Sequence, residues 1–275
     1  MSVSYTYLRL MSIIKKAFAY LNYLVRAKSE HGVHSPFVFE LFTNVILNNE
    51  NYYSYGVIED LRTGLLSDSS EINVTDLGAG SAVLKSNKRR ISDIARHSLM
   101  PAKYGQLLFR LVNYFQPQTV LELGTSLGIT TLYMALANKG ANIVSIVSIE
   151  GCGEISARAI QNIEKLNAGN VNLVRGDFDV VLIDLLPKLK RLDFVLFDGN
   201  HRRDTTLSYF ERCLGFAHAD SIFVFDDIHW SDEMIEAWEI IKRHERVTLS
   251  IDLFFMGIVF FRKEQQEKEH FVLRF

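Results

Sequence analysis

Residues 119–137, TVLELGTSLGITTLYMALA, decide the fold. An apolar run over 120–123 meets a turn between Gly124 and Gly128, and apolar residues at helical spacing follow. This order of strand, tight loop and helix opens the nucleotide-binding type of α/β sheet. Gly124 allows a sharp turn because it lacks a Cβ, and Gly128 allows close packing or the close approach of a ligand. We therefore predict a ligand site at this loop.

The glycine spacing distinguishes two classes of ligand. A dinucleotide fingerprint, G-x-G-x-x-G, brings its second glycine against a pyrophosphate, whereas this loop has Ser126 there and the spacing G-x-x-x-G. The segment ELGTSLG instead resembles motif I of class I S-adenosylmethionine-dependent methyltransferases, in the form found in the catechol and caffeoyl-CoA O-methyltransferase group. The resemblance implies S-adenosylmethionine as the cofactor, held at Glu122, Gly124, Thr125, Ser126 and Gly128.

Composition and length are those of a globular protein with one α/β domain and an accessory segment. The chain has 275 residues, of which 48% are hydrophobic and 23% charged, and its net charge of -2 gives no overall attraction to nucleic acid. Two cysteines, Cys152 and Cys213, provide no framework of disulfides or metal ligands, which favours free buried thiols and a cytoplasmic location. We predict a helical N-terminal extension over 1–98 and a catalytic domain over 99–275. The resemblance implies that the extension caps the substrate side.

The first 29 residues are apolar but interrupted by charge. Arg9, Lys15, Lys16 and Arg26 leave no uncharged stretch of 18 residues, and no cleavage site follows. We therefore expect neither a membrane span nor a signal peptide, and the segment should stay in the mature protein. Because residues 1–29 contain no acid, a helix here could lie on an anionic membrane surface; packing on the domain or on a partner in a homodimer is the other interpretation.

Residues 30–49 predict a second N-terminal helix. Ser35 and Pro36 form a typical helix start, with serine as N-cap and proline at the first helical position. His31 and His34 precede this start, but no further ligand completes a metal set nearby. Capping or packing is the simpler role for both histidines, and a contact with substrate stays open.

Residues 50–98 carry the weakest pattern. The segment 76–81, DLGAGS, imitates a second motif I, but no amphipathic helix is evident after it, and we expect a structured loop. The segment 85–96 has five basic residues against the single acid Asp93: Lys85, Lys88, Arg89, Arg90 and Arg96. A solvated face is one interpretation. Contact with a phosphate-bearing substrate or RNA is the other, which leaves an RNA or N-methyltransferase as an alternative function.

Two acidic residues after motif I are candidate cofactor ligands. Glu150 ends a β-branched run and lies 150 - 128 = 22 residues after Gly128, near the offset of about 20 at which doubly wound folds place an acid on the ribose hydroxyls. Asp177 ends the next predicted strand, and the resemblance implies contact with the adenine edge, with Phe178 as a stacking neighbour. A plain turn is the alternative for Asp177.

Two further strands end in acids. The predicted strand over 193–197 stops at Asp198, and the strand over 221–225 stops at Asp226 and Asp227. Parallel strands bring their carboxyl ends to one edge of a sheet. We therefore expect these three carboxylates to converge near the transferred methyl group, together with His201 and His229.

The resemblance assigns roles to this cluster. In the catechol-type enzymes such acids hold a divalent ion, which implies Asp198, Asp226 and Asp227 as ligands of Mg²⁺ or a similar cation. His201 stands where those enzymes have a lysine base, so Asp198 and His201 are the candidate catalytic residues. The alternative is that Asp198 only caps the next helix and His201 packs against it.

Beyond residue 246, two apolar runs predict a terminal antiparallel hairpin, and the tail 264–275 predicts an added strand or a dimer contact. The resemblance covers about residues 100–262. It implies a doubly wound, mostly parallel, seven-stranded α/β sheet that methylates an oxygen of a small-molecule acceptor. A non-catalytic cofactor-binding or membrane-associated module is the alternative from another class of protein.

Overall fold

A mostly parallel sheet of eight strands forms the centre of the protein. The computed structural model describes residues 16–75, 87–137, 145–265 and 267–275. The strand order in the sheet is β5-β4-β3-β6-β7-β9-β8-β10, and β1 and β2 form a separate antiparallel pair. In chain order the strands are β1 (Glu71–Asn73), β2 (Lys88–Arg90), β3 (Thr119–Leu123), β4 (Ser145–Glu150), β5 (Val171–Arg175), β6 (Leu192–Phe197), β7 (Ala217–Asp226), β8 (Leu249–Asp252), β9 (Met256–Phe260) and β10 (Glu269–Val272).

The sheet reverses its winding between β3 and β6. Strands β3, β4, β5, β6 and β7 are parallel, and β9 pairs antiparallel with both β7 and β8. Ligands of such sheets bind in the crevice at the carboxyl ends of the strands where the order reverses. The predicted doubly wound fold is confirmed, with one strand more than the seven predicted. The eighth strand, β10, comes from the tail and pairs parallel with β8.

Ten helices of the described chain flank the sheet. They are α1 (16–26), α2 (Pro36–Leu41), which continues as a π-helical turn (Phe42–Ile46), α3 (Tyr53–Ser67), α4 (Ile91–Ser98), α5 (Ala102–Phe115), α6 (Ile129–Ala135), α7 (Gly153–Lys165), α8 (Phe178–Leu189), α9 (Arg203–Leu214) and α10 (Asp232–Arg243). The predicted helix start at Ser35 and Pro36 is correct, although the Ser35 side chain makes no capping hydrogen bond.

Helix α4 corrects the expectation that no amphipathic helix follows residues 76–81, and α3 adds a helix before that segment. Helix α3 buries Tyr55, Ile58, Leu61 and Leu65 along one side. Helix α4 has only eight residues and buries Ile91, Ser92, Ile94 and Ala95. A helix this short shows too few turns for its period to stand out in sequence. The segment 76–81 and Lys85 lie outside the described residues.

The N-terminal elements share a hydrophobic core with the sheet. On one face, Phe42 and Ile58 belong to the same buried cluster as Leu107, Leu132 and Val224. A second cluster covers the other face, under α8, α9 and α10. The N-terminal elements therefore pack as an integral layer on the sheet.

Helix α1 is fixed to the C-terminal strand. The Tyr23 hydroxyl donates to the carbonyl of Leu273 at 2.5 Å and accepts from the amide of Phe275 at 3.2 Å. The Lys28 amide donates to Val272 at 2.8 Å. The part of the N-terminal helix that is described thus packs on the domain, as one of the two interpretations predicted, while Arg9 and Lys15 lie outside the described residues. No described helix is both long and apolar enough to cross a bilayer.

Candidate functional site

The loop between β3 and α6 is held by hydrogen bonds within the protein. The amides of Gly124 and Thr125 donate to the carbonyl of Ile149, at 3.0 and 3.2 Å. The Ser126 amide donates to the Glu150 carboxylate at 2.9 Å, and the Gly128 amide donates to Thr125. A phosphate-binding loop needs amides that point at the ligand, and these four are already occupied. The geometry therefore agrees with the glycine spacing, which departs from that of a pyrophosphate-binding loop.

Gly124 allows β3 and β6 to approach each other at their carboxyl ends. Its φ is +110°, and a Cβ placed there would lie 2.1 Å from the backbone oxygen of Asp198. The Asp198 amide donates to the Leu123 carbonyl at 2.9 Å. Any side chain at position 124 would therefore separate the motif I loop from Asp198. Gly128 also has a left-handed φ, of +83°.

Glu150 lies at the end of β4 and supports the turn. Its carboxylate accepts from the amides of Ser126, at 2.9 Å, and Cys152, at 2.8 Å. The structure thus places Glu150 beside the motif I loop, where the prediction of a ribose ligand requires it; the ribose role itself stays a prediction.

Glu122 is fully buried under the same loop. One carboxylate oxygen accepts from the hydroxyls of Thr131 and Ser148, both at 2.5 Å, and the other has no hydrogen-bond partner. Burial raises the pKa of Glu122 to about 7, with the hydroxyl hydrogen bonds opposing the shift. Ser148 also contacts the Thr125 hydroxyl at 2.5 Å. Glu122 and Thr125 therefore belong to one buried hydrogen-bond network next to the loop between β3 and α6. One carboxylate oxygen of Glu122 remains a buried acceptor without a donor.

Asp177 begins helix α8. Its carboxylate accepts from the Asp179 amide at 2.8 Å, the hydrogen bond of a helix N-cap. Phe178 packs edge-on against Tyr209, with ring centroids 5.6 Å apart, and lies against Gly199. The structural role for Asp177 is therefore established, and its contact with adenine stays a prediction.

The three acids at the ends of β6 and β7 converge as predicted. Asp198 follows β6 and Asp226 ends β7, and these two parallel strands are hydrogen-bonded neighbours whose register pairs Phe197 with Phe225. Burial, reinforced by the charges of Asp226 and Asp227, raises the pKa of Asp198 well above its usual range. Burial and the charge of Asp227 raise the pKa of Asp226 to about 8.

Asp227 is the most strained member of the cluster. Its φ is +56°, a left-handed conformation in which non-glycine residues are uncommon. Burial raises the pKa of Asp227, and the neighbouring His201 and Lys16 oppose this shift. Backbone strain of this kind persists where the surrounding structure holds it and is frequent at functional sites.

The two histidines have different surroundings. Nε2 of His201 lies 3.9 Å from the Asp198 carboxylate, and burial lowers the pKa of His201. His229, which we expected to join the cluster, instead lies 2.9 Å from the Asp252 carboxylate and stacks on Phe254, with ring centroids 5.0 Å apart. Of these two histidines, only His201 lies beside the carboxylate cluster. His229 is held instead by Asp252, an acid within the terminal hairpin.

Lys16 is a site residue that the sequence did not identify as one. Its Nζ lies 3.1 Å from the centroid of the Trp230 ring, and its charge interacts with that of Asp227. Burial lowers the pKa of Lys16, and Asp227 opposes the shift. A lysine in the first helix and an acid at the end of β7 are more than 200 residues apart, and no local pattern in the sequence relates them.

The three acids lie together at the ends of β6 and β7, but their spacing is not that of a formed metal site. Within the residues that the structure describes, no group of three or more His, Cys, Asp or Glu side chains is arranged to hold a metal ion. The role of Asp198, Asp226 and Asp227 as ligands of a divalent ion stays a prediction.

The remaining candidates lie outside the carboxylate cluster. His31 and His34 are exposed, and His31 faces Glu30 at 3.5 Å. In the basic segment, Lys88 and Arg90 contact Glu71, and Arg96 pairs with Asp93 at 3.0 Å. Much of its positive charge is therefore compensated. Cys152 and Cys213 are buried free thiols, as predicted.

Comparison with known proteins agrees with this geometry. Residues 121–228 match the profile of a family described as a methyltransferase domain. No curated protein matches the chain. The matched stretch begins in β3 and ends just after Asp227, so it contains the motif I loop and all three acids.

Solved structures share the fold at low sequence identity. An O-methyltransferase from Bacillus cereus in complex with S-adenosylhomocysteine superposes with a TM-score of 0.55 at 16% identity, covering 80% of this chain and 94% of that one. The O-methyltransferase TomG from Streptomyces achromogenes, in complex with S-adenosylmethionine, has a TM-score of 0.55 at 16% identity, covering 82% of this chain and 96% of that one. The methyltransferase PaMTH1 from Podospora anserina has a TM-score of 0.52 at 14% identity, covering 79% of this chain and 100% of that one. The predicted class I methyltransferase fold is confirmed.

The contact at Gly124 generates a first prediction. Gly124→Ala should lower stability by at least about 2 kcal/mol, because alanine tolerates neither the positive φ nor the contact with Asp198. Urea unfolding measures the change. Gly64→Ala, in open space on α3, is the matched control and should be neutral or stabilising by up to about 1 kcal/mol. Equal stability of the two variants would contradict the argument.

The burial of Glu122 generates a second prediction. The pKa of Glu122 is about 7 in the folded protein and about 4.3 in an unfolded chain. The stability that this shift contributes is therefore fully present below about pH 4.3 and is lost as pH rises through about 7. Between pH 5 and pH 8 the free energy of unfolding should therefore fall less for Glu122→Gln than for wild type, by up to about 3 kcal/mol. Thermal unfolding at each pH measures this difference. Parallel pH profiles for the two proteins would show that Glu122 is not titrating in this range.

Proposed function

We propose that the chain is an S-adenosylmethionine-dependent methyltransferase that methylates an oxygen of a small-molecule acceptor. One observation carries the proposal. At the point where the sheet reverses, a glycine turn whose amides are already bonded within the protein lies directly against a cluster of three carboxylates. Such a site is unsuited to a phosphate and well suited to a ligand with a positive charge. S-adenosylmethionine carries its positive charge on the sulfur that bears the transferred methyl group.

Three residues would hold the cofactor. The Glu150 carboxylate lies beside the motif I loop, where ribose hydroxyls would meet it, and Glu122 has one buried oxygen without a partner. The side-chain oxygen of Asn200, two residues after Asp198, is also buried and unpartnered. Buried acceptors of this kind require donors, and the amino and hydroxyl groups of S-adenosylmethionine are donors. When bound, the cofactor supplies an electrophilic methyl group to the crevice beside Asp198.

His201 is the residue best placed to take a proton from the acceptor. Because burial lowers its pKa, its imidazole is neutral near pH 7 and has a free lone pair. Its ring lies beside Asp198, at 3.9 Å, and beside Asp227, whose charge would stabilise the imidazolium once formed. Removal of the proton makes the acceptor oxygen a nucleophile, and orientation next to the methyl group supplies much of the remaining acceleration.

The walls of the crevice favour a flat acceptor. Trp230 is 52% exposed next to the cluster, and Phe255 and Tyr20 expose 44% and 39% of their surfaces nearby. Tyr20 contacts Phe254, which in turn contacts Phe255, at centroid distances of 4.9 Å each. The similarity to proteins described as O-methyltransferases with bound S-adenosylhomocysteine or S-adenosylmethionine supports oxygen as the accepting atom.

Calorimetry tests the cofactor assignment. S-adenosylmethionine and S-adenosylhomocysteine should each bind wild-type protein with one-to-one stoichiometry, whereas NAD should not bind, because the loop amides are occupied. Gly124→Ala should lose the binding that Gly64→Ala retains. A titration that gives a heat of binding with NAD and none with S-adenosylmethionine would overturn the proposed function.

Replacement of His201 tests the base. In assays of S-adenosylhomocysteine release with a panel of catechols and phenols, His201→Ala should lower kcat by about 10²–10⁴ and leave S-adenosylmethionine affinity unchanged. The acid limb of the wild-type kcat/KM profile should lie below about pH 6.5, the ordinary histidine range. His244→Ala, at the end of α10, is the control. A His201→Ala enzyme with wild-type turnover would remove the base assignment.

A further inference from the structure

Helix α1 exposes an apolar stripe on the side opposite the one that packs on the domain. Phe18, Leu21 and Val25 recur at helical spacing, and 74%, 59% and 87% of their surfaces are exposed. Tyr23, on the other side of the helix, is buried and donates to the carbonyl of Leu273. A single exposed apolar side chain is ordinary, but a contiguous apolar patch marks an interaction surface. We call Phe18, Leu21 and Val25 the α1 stripe.

The charged residues that adjoin the α1 stripe in sequence are basic. Residues 1–29 contain five basic side chains and no acid, although the net charge of the chain is -2. Two of the five, Arg26 and Lys28, are exposed directly after the stripe. Lys16 lies before it, with its Nζ over the Trp230 ring. Positive charge is thus concentrated next to an exposed apolar surface, on a chain that is acidic as a whole.

An anionic lipid bilayer suits both properties. A helix of this kind lies in the plane of the bilayer, where its apolar stripe enters the boundary between headgroups and acyl chains. Its basic residues attract the anionic headgroups. Trp230, which is 52% exposed beside the same helix, is an aromatic side chain with a polar tip, the type favoured at that boundary. Charge complementarity therefore points to a membrane surface.

A second copy of this chain is a poorer occupant. A two-fold contact brings the same patch of both copies together, so the basic residues around one stripe would meet those around the other. A standard protein interface also needs about 20–30 residues from each partner, far more than the α1 stripe supplies. Self-association through this helix would therefore oppose like charges over a small apolar area.

Helix α8 provides a matched comparison within the protein. It exposes Val180 and Ile183, each by 67%, and so resembles α1 in its apolar exposure. Asp179 and Asp184 directly adjoin them, and both acids are exposed. Because carboxylates are repelled by anionic headgroups, we expect α8 to stay off an anionic membrane.

We propose that the α1 stripe, together with Arg26 and Lys28, docks the protein on an anionic lipid bilayer, with α1 parallel to the membrane plane. The surface lies on the outer side of α1 and not in the crevice, so the proposal goes beyond methyl transfer and does not depend on it. It also explains why a helix whose inner side is fixed through Tyr23 keeps an apolar outer side.

Vesicle flotation with the full chain tests the occupant. Wild type should float with vesicles of phosphatidylcholine and phosphatidylserine, and should bind at least about tenfold more weakly to vesicles of phosphatidylcholine alone. Added salt should weaken the binding, because it screens the attraction between exposed charges. Failure of wild type to float with the anionic vesicles, or equal affinity for both kinds, would overturn the proposal.

Paired substitutions test the stripe. Phe18→Gln with Val25→Gln should lower the affinity for anionic vesicles by at least about tenfold, because two apolar side chains no longer enter the bilayer. Val180→Gln with Ile183→Gln removes comparable apolar exposure from α8 and should bind as wild type. Unchanged affinity of the α1 pair, or an equal loss in the α8 pair, would contradict the assignment to α1.

A second set of pairs tests the charge. Arg26→Gln with Lys28→Gln should weaken binding to the anionic vesicles by at least about tenfold. Lys165→Gln with Lys188→Gln, which changes exposed lysines of α7 and α8, should not. The same affinity for both pairs would remove the role given to the basic residues.

Sedimentation velocity without lipid tests the second copy. The oligomeric state should be the same for wild type and for Phe18→Gln with Val25→Gln, and equal thermal unfolding of the two shows that the variant is folded. A wild-type dimer that this pair converts to monomer would assign the α1 stripe to a second copy and overturn the proposal.

Discussion

The backbone contact between Gly124 and the carbonyl of Asp198 is the constraint on which the rest of the site depends. Two parallel strands, β3 and β6, end side by side, and their loops must diverge to opposite faces of the sheet while leaving a crevice between them. A Cβ at position 124 would come within 2.1 Å of the Asp198 oxygen. The glycine lets the two ends approach, and the approach brings Asp198, and with it Asp226 on the next strand, next to the motif I loop.

That approach creates an electrostatic problem, because three carboxylates then lie partly out of water. Burial raises the pKa values of all three acids, and the charges of His201 and Lys16 oppose the shift at Asp227. A cluster of carboxylates favours a cationic ligand in the crevice. Burial also lowers the pKa of His201.

The N-terminal elements take part in the site as well as in the core. Phe42 and Ile58 pack into the cluster that supports the sheet, and α1 reaches the crevice through Lys16. Helix α4 contacts the motif I loop, where the hydroxyls of Ser98 and Ser126 lie 2.9 Å apart. Two N-terminal helices, α1 and α4, thus contact the turn after β7 and the motif I loop.

The sequence by itself determined the order of strands, the glycine turn and the acids that end β4, β6 and β7, because each depends on a local pattern of apolar residues, glycines and carboxylates. It did not reveal the short helix α4, the pairing of His229 with Asp252, or the contact of Lys16 with Trp230 and Asp227. Only the tertiary structure decided these, since their partners come from distant segments. The raised pKa values of Asp198 and Asp226 likewise follow from burial, which only the folded chain produces.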